Sequence, residues 1–79
     1  MFIVYIYDLI AKDKKQFNRT KRLFYYYLNK LELKKELWKS KSAICVGLDS
    51  EKKLDLFFKK FKKNIVVYKL FTESIEQLV

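Results

Sequence analysis

The chain has 79 residues, the size of one small domain, and 51% of them are hydrophobic and 18% aromatic. Its 18 lysine and arginine residues outnumber nine acidic ones, and the net charge of +9 favours a polyanionic partner such as DNA, RNA or an anionic membrane surface. Histidine is absent and Cys45 is the single cysteine, which excludes histidine-based catalysis, an internal disulfide and a cysteine-based zinc site.

The first predicted element is a strand over residues 2–8, an unbroken apolar and aromatic run that ends at Asp8. A carboxylate at the mouth of a buried strand, facing cations, suits a hard divalent metal held against a phosphate backbone. Asp8 is therefore the candidate catalytic and metal-binding residue. Alternatively, Asp8 only caps a loop or pairs with a lysine, since structural ion pairs also use such positions. The candidate nucleic-acid-binding residues that follow are Lys14, Lys15, Arg19, Lys21 and Arg22.

Residues 9–16 are predicted to form a polar loop, and residues 17–33 the first helix. The helix is expected to begin near Gln16 or Asn18. Its inward residues recur at the spacing of one helix face. They are Phe17, Thr20, Phe24, Tyr27, Leu28 and Leu31.

Three consecutive tyrosines, Tyr25, Tyr26 and Tyr27, lie within this helix and cannot all face the core. We expect Tyr27 to pack against Phe24 and Leu28, which leaves Tyr25 or Tyr26 partly exposed. An exposed tyrosine at this place stacks either on nucleic-acid bases or on another subunit.

Residues 36–48 are predicted to be extended, as one long bent strand or as a tight hairpin, because no turn dipeptide marks the middle. A second helix follows, with Asp49 or Ser50 at its N-terminus and Asn64 at its end. Its inward residues, at helical spacing, are Leu54, Phe57, Phe58 and Phe61. Its outward lysines either follow a phosphate backbone or form a solvated face.

The last predicted strand covers residues 65–71, and residues 72–79 form a tail. This order of elements predicts a single α+β domain over residues 1–79. Its fold is a ferredoxin-like βαββαβ sandwich, with two helices on one face of an antiparallel sheet. The other face must be wet, ligand-bound or paired with a second subunit. The many large apolar residues of so small a domain favour a homodimer.

No apolar run approaches the roughly 18–20 residues that a transmembrane helix needs. The N-terminal residues lack the positively charged region and the small-residue cleavage site of a signal peptide. We therefore expect a cytoplasmic protein without a membrane span, and a reducing interior suits the single cysteine.

Several stretches resemble the second core CRISPR-associated protein family, the small ferredoxin-like subunit of the spacer-acquisition complex, which is also described as a metal-dependent endonuclease. Val4–Asp8 is similar to the family's first strand with its terminal aspartate. Arg19–Arg22, followed by Leu28, resembles the basic start of its first helix. Lys41–Ile44 and Asn64–Leu70 resemble its serine-containing strand motif and its closing strand.

The resemblance implies a homodimer in which the two Asp8 residues face each other near the two-fold axis. The basic flanks of this dimer would hold duplex DNA beside an integrase partner. The tail, residues 72–79, would pair with the sheet of the other subunit. Nuclease activity would require Mg²⁺ or Mn²⁺.

Three other hypotheses stay open. An RNA-recognition-type module would stack Tyr5, Tyr7 and Tyr68 on single-stranded bases. A toxin-like ribonuclease of the VapD type shares the predicted architecture. A structural or regulatory dimer would owe its charge to codon usage, and an even spread of lysines over the surface would favour it.

Overall fold

A computed structural model describes residues 1–33 and 36–79. The chain forms an α+β domain whose elements follow one another in the predicted βαββαβ order. The strands are β1 (Phe2–Leu9), β2 (Glu36–Lys39), β3 (Ala43–Gly47) and β4 (Ile65–Thr72), and the helices are α1 (Lys14–Lys30) and α2 (Glu51–Lys60), the latter preceded by a single 3₁₀ turn.

The four strands form one sheet in the order β2-β3-β1-β4, and every neighbouring pair is antiparallel. Both helices pack on the same face, because rings from α1 and from α2 contact the inward side chains of the central strand β1. This arrangement is compatible with the ferredoxin-like fold and confirms the predicted fold class.

The core lies between the sheet and the two helices. Strand β1 alternates, so that Ile3, Tyr5 and Tyr7 are buried beneath the helices while the residues between them face the other side. Phe24 of α1 is fully buried at the centre. Its ring centre lies 5.2–6.1 Å from those of Tyr7, Tyr25, Phe57, Phe58 and Phe61.

Helix α1 begins at Lys14, so the predicted start near Gln16 or Asn18 is wrong by about one turn. Asp13 is the N-cap, and its Oδ1 accepts a hydrogen bond of 2.8 Å from the Gln16 backbone N–H. The Gln16 side chain accepts one of 2.8 Å from the Lys12 N–H. This pair of side chains satisfies backbone donors at the helix end and adds a polar first turn that apolar periodicity does not reveal.

Residues 36–48 form a hairpin and not one bent strand. The backbone N–H of Ser40 donates to the carbonyl oxygen of Ala43 at 2.8 Å and closes the turn. The register of the pair shifts between Glu36 and Trp38, which is an irregularity of the β-bulge type.

Helix α2 begins directly after Ser50, as predicted, but it ends at Lys60, so the predicted end at Asn64 is wrong, while strand β4 begins at Ile65 as predicted. Leu54, Phe57 and Phe58 are buried, and β4 extends one residue beyond the predicted end. Residues 73–79 follow without a helix or strand. Within residues 1–33 and 36–79, no helix has the length and hydropathy that crossing a bilayer requires.

The sheet face away from the helices is named here the open sheet face. Strand register assigns to it large side chains that are exposed or half-buried. Cys45 also belongs to this side of β3 but is fully buried, and burial raises the pKa of its thiol. The large or charged side chains that the register assigns to the open sheet face are Phe2, Val4, Ile6, Asp8, Trp38, Val66, Tyr68 and Leu70.

Candidate nucleic-acid interface

Cations concentrate on the helical side of the domain. Helix α1 contains six basic residues and no acidic one. Residues 51–63, which include α2, contain six basic and two acidic residues. Each of these basic side chains is exposed. We name α1 and residues 51–63 the helical layer. The lysines are therefore not spread evenly, and the helical layer has the charge and exposure of a polyanion-binding surface.

The two acidic residues of the helical layer both form ion pairs within the chain, with the same lysine. Lys69 Nζ on β4 lies 2.8 Å from Glu51 Oε2 and 2.9 Å from Asp55 Oδ2. The buried Tyr5 hydroxyl donates to Asp55 Oδ1 at 2.7 Å. Both carboxylates are therefore directed to the edge where β4 meets α2.

The pKa values of this cluster follow its geometry. Partial burial acts to raise the pKa of Asp55, but the hydrogen bonds from Lys69 and Tyr5 outweigh it, and the net pKa is lowered. Hydrogen bonds to Glu51 and Asp55 raise the pKa of Lys69. Burial, followed by the hydrogen bond to Asp55, raises the pKa of Tyr5. Asp55 is thus held ionised and Tyr5 neutral, which suits a structural cluster.

All five residues predicted to bind nucleic acid lie on α1 and are exposed. Lys14 and Lys15 occupy its first turn. Arg22 lines two shallow depressions, of about 570 and 580 Å³. Lys21 borders the first of these and Arg19 the second. The structure therefore brings the five cations onto one helix, with both arginines beside exposed apolar surface.

Asp8 lies one residue before the end of β1, on the open sheet face, with its Cα paired opposite Val66. Its side chain is exposed, and no hydrogen bond or ion pair reaches it from the part of the chain that the structure describes. Asp8 lines a cavity of about 210 Å³ together with Lys21, Lys41 and Ser42. Asp8 thus borders the same cavity as two lysines, and within residues 1–33 and 36–79 it makes neither the loop-capping nor the lysine-pairing contact of the alternative interpretation.

A single chain offers little else to a metal ion. Asp13 caps α1 and Asp55 pairs with Lys69, so two of the other aspartates have structural roles. Among residues 1–33 and 36–79, no three histidine, cysteine, aspartate or glutamate side chains are close enough to hold a metal. Asp8 of one chain would need ligands from a second chain or from a phosphate.

The tyrosines of α1 agree with the prediction at Tyr26, which is exposed, and contradict it at Tyr27. Tyr27 was expected to pack inward, but it is 49% exposed, and Tyr26 is 52% exposed. Tyr25 is the partly buried one, and its hydroxyl donates to the carbonyl oxygen of Lys41. At about 3.6 residues per turn, Tyr25 and Tyr27 flank the buried face symmetrically, and the hairpin turn covers only the Tyr25 side.

The RNA-recognition-type hypothesis loses two of its three proposed stacking residues. Tyr5 and Tyr7 are buried under the helices, where burial, with a further contribution from Tyr25, raises the pKa of Tyr7 to about 12. The Tyr7 hydroxyl donates to the Ser40 carbonyl oxygen at 3.3 Å. Only Tyr68, 67% exposed on the open sheet face, is available to a ligand.

Sequence reasoning missed a second stripe on α1, which we name the tyrosine stripe. Its members recur at i, i+3, i+4, i+7, i+8 and i+11. This helical spacing was visible in the sequence and would have predicted the stripe on the exposed side of α1. They are Arg19, Arg22, Leu23, Tyr26, Tyr27 and Lys30, all exposed. Lys41, beside Asp8, was also missed, because only the folded hairpin brings it there.

Comparisons with known proteins add no assignment. No family model, no curated protein and no solved structure matches this chain. The resemblance to the CRISPR-associated family therefore stays a prediction.

Proposed function

We propose that the protein binds nucleic acid through the helical layer. The observation that carries the proposal is the charge of that layer, in which twelve exposed cations face solvent while the only two acids are engaged by Lys69 and Tyr5. Exposed lysines and arginines bind phosphates by releasing condensed counterions, independently of sequence. A cytoplasmic location belongs to the same proposal.

A homodimer joined through the open sheet face is the second part of the proposal. Strand register directs Lys39 and Lys69 to the helix side, so no basic side chain of the described strand residues faces the open side. Two copies of a chain with charge +9 repel each other least where cations are absent. Pairing there leaves both helical layers outermost and free for a nucleic-acid backbone.

Binding to a 20-base-pair DNA duplex, followed by fluorescence anisotropy, is expected to weaken steeply as salt rises. Arg22→Gln should reduce the slope of log K against log salt by about 0.9 and weaken binding about tenfold at 0.1 M salt, because one phosphate contact is lost. The matched control, Lys39→Gln, removes one charge from the hairpin and should change the slope much less. Absence of binding at low salt would refute the proposal, and equal effects of both variants would remove the helical layer from it.

Metal-dependent cleavage at Asp8 is the third part of the proposal, as in the adaptation-complex subunit that the sequence resembles. Support comes from Asp8, which is exposed, belongs to the open sheet face by strand register and lines one cavity with Lys21 and Lys41 near the end of β1. Pairing of two open sheet faces would supply two Asp8 carboxylates. Mg²⁺ or Mn²⁺ is commonly held by one or two carboxylates plus substrate phosphates. A VapD-type ribonuclease activity would use the same Asp8 site, and an integrase partner would act beside it.

Asp8→Asn is expected to reduce Mg²⁺- or Mn²⁺-stimulated cleavage by about 100-fold or more, since the metal loses its charged ligand. Labelled duplex DNA and RNA should be tested separately by gel electrophoresis. Thermal stability should stay unchanged, because the Asp8 side chain supports no contact in the described chain. Glu73→Gln, in the exposed tail, is the charge-matched control. Cleavage that persists in Asp8→Asn would assign the activity to another site or to a contaminant.

A further inference from the structure

We propose that the tyrosine stripe binds unpaired nucleotides, so that the protein prefers a duplex that continues into a single strand. This inference rests on the proposed function and names the part of the nucleic acid that α1 recognises. In it, Tyr26 and Tyr27 stack on bases, and the arginines and lysine of the stripe hold the phosphates between them.

The two tyrosines present a stacking surface. About half of each side chain is exposed, and their rings lie 5.2 Å apart at 83°, edge to face. Tyr27 borders two shallow depressions. One, of about 580 Å³, lies along α1 beside Leu23 and Arg22. The other, of about 450 Å³, lies between the helices and has Phe57 among its lining residues. A flat apolar group entering either depression meets the Tyr27 side chain.

Cations surround this apolar surface on each side. Lys30 Nζ lies 4.3 Å from the centre of the Tyr26 ring. Lys60 of α2 lines the depression between the helices, and Arg19 and Arg22 line the other. Alternating aromatic and cationic groups match the alternation of bases and phosphates along a single strand. Arginine adds a planar fork that binds a phosphate through two hydrogen bonds.

The length of the stripe suits a short single-stranded segment. Arg19 and Lys30 are separated by eleven residues, which is roughly 16 Å along a helix axis. That distance corresponds to about five nucleotides stacked at 3.4 Å each. A fully paired backbone would contact the cations but could not reach the tyrosine rings with its bases, which stay inside the duplex.

Charge favours a single-stranded nucleic acid over a second copy of the chain as the ligand of the tyrosine stripe. The stripe carries three cations, and α1 contains no acidic residue, so two stripes repel each other. An acidic amphipathic helix of another protein would also match the charge. The two occupants differ in their need for aromatic rings. Leucine replaces tyrosine well where a helix binds in a groove, but poorly where a nucleic-acid base stacks on the ring.

The test compares three fluorescent DNA probes at one salt concentration: a blunt duplex, the same duplex with a tail of eight unpaired thymidines, and the same duplex with an abasic tail of equal charge. The base-bearing tail is expected to bind at least about fivefold tighter than the abasic tail, the weak end of base–aromatic stacking. Tyr26→Leu/Tyr27→Leu should abolish that gain, so that the variant binds the base-bearing and the abasic tails equally. Tyr68→Leu removes an exposed tyrosine on the open sheet face and is the matched control.

Equal binding of the base-bearing and abasic tails would overturn the inference, while tight binding of the blunt duplex would still support the proposed function. Failure of every probe to bind at low salt would refute the proposed function itself. A glutamate- and leucine-containing helical peptide should be tested alongside. If it binds the stripe of the wild-type chain and the base-bearing tail shows no gain, the stripe is a protein-docking surface and the inference is wrong. Circular dichroism checks that both variants are folded.

Discussion

Replacing Phe24 by alanine is expected to lower the free energy of unfolding by about 3–5 kcal/mol, the usual cost of removing a buried aromatic ring. Phe24 is fully buried, and the centres of five other aromatic rings lie within 6.1 Å of the centre of its ring. At roughly 0.05–0.15 kcal/mol per residue, a chain of this length is stable by about 4–12 kcal/mol. The substitution therefore removes a large share of the stability and leaves many molecules unfolded at the lower end of that range.

Urea denaturation at one fixed protein concentration measures this effect, since a dimer would make stability depend on concentration. Leu23→Ala, at the neighbouring position of α1, is the matched control, because Leu23 is exposed. Its effect should stay within about 0.5 kcal/mol, as for ordinary surface substitutions. If both variants lose the same stability, Phe24 is not the centre of the core and the described packing is wrong.

Most of the fold is readable from the pattern of apolar residues. The run that forms β1 and the i, i+3, i+4, i+7 spacing of α2 predict their elements directly, because burial on one face imposes the period of the secondary structure. The start of α1 was not predicted, since Asp13 and Gln16 act through polar hydrogen bonds that leave no apolar trace. The hairpin of residues 36–48 was left open, because its turn uses Ser40 and no glycine or proline.

The candidate site was predictable only in part. Five of the six cations of α1 were identified from composition and order, and the structure places them together on one exposed helix. Tyr27 was placed on the wrong side, because a helical wheel treats Tyr25 and Tyr27 as equivalent and only the Lys41 carbonyl distinguishes them. The proximity of Lys41 to Asp8 depends on contacts between elements distant in sequence, and no local pattern encodes it.

The open sheet face contains large exposed apolar residues that belong to neither the core nor the helical layer. Ile6, Trp38 and Leu70 are each at least 40% exposed and belong to this one face, whose only charged side chain among the described strand residues is that of Asp8. Exposed apolar surface concentrated on one face marks an interaction site. A second copy of the chain matches it in both apolar character and lack of cations, and the pairing would bring two Asp8 residues onto one interface.

Leu70→Asp is expected to dissociate such a dimer, raising its dissociation constant at least about 100-fold. A two-fold interface contains the substitution twice, and each buried leucine contributes about 1.5–3 kcal/mol, while tenfold in affinity corresponds to 1.4 kcal/mol. Sedimentation velocity over a range of concentrations measures the change.

Leu56→Asp makes the same substitution on α2, where Leu56 is 58% exposed, and should leave the dimer intact. A wild-type chain that sediments as a monomer at every concentration, or a Leu56→Asp variant that dissociates equally, would refute pairing through this face. Without that pairing, Asp8 would stand alone and the metal site would lose its second carboxylate.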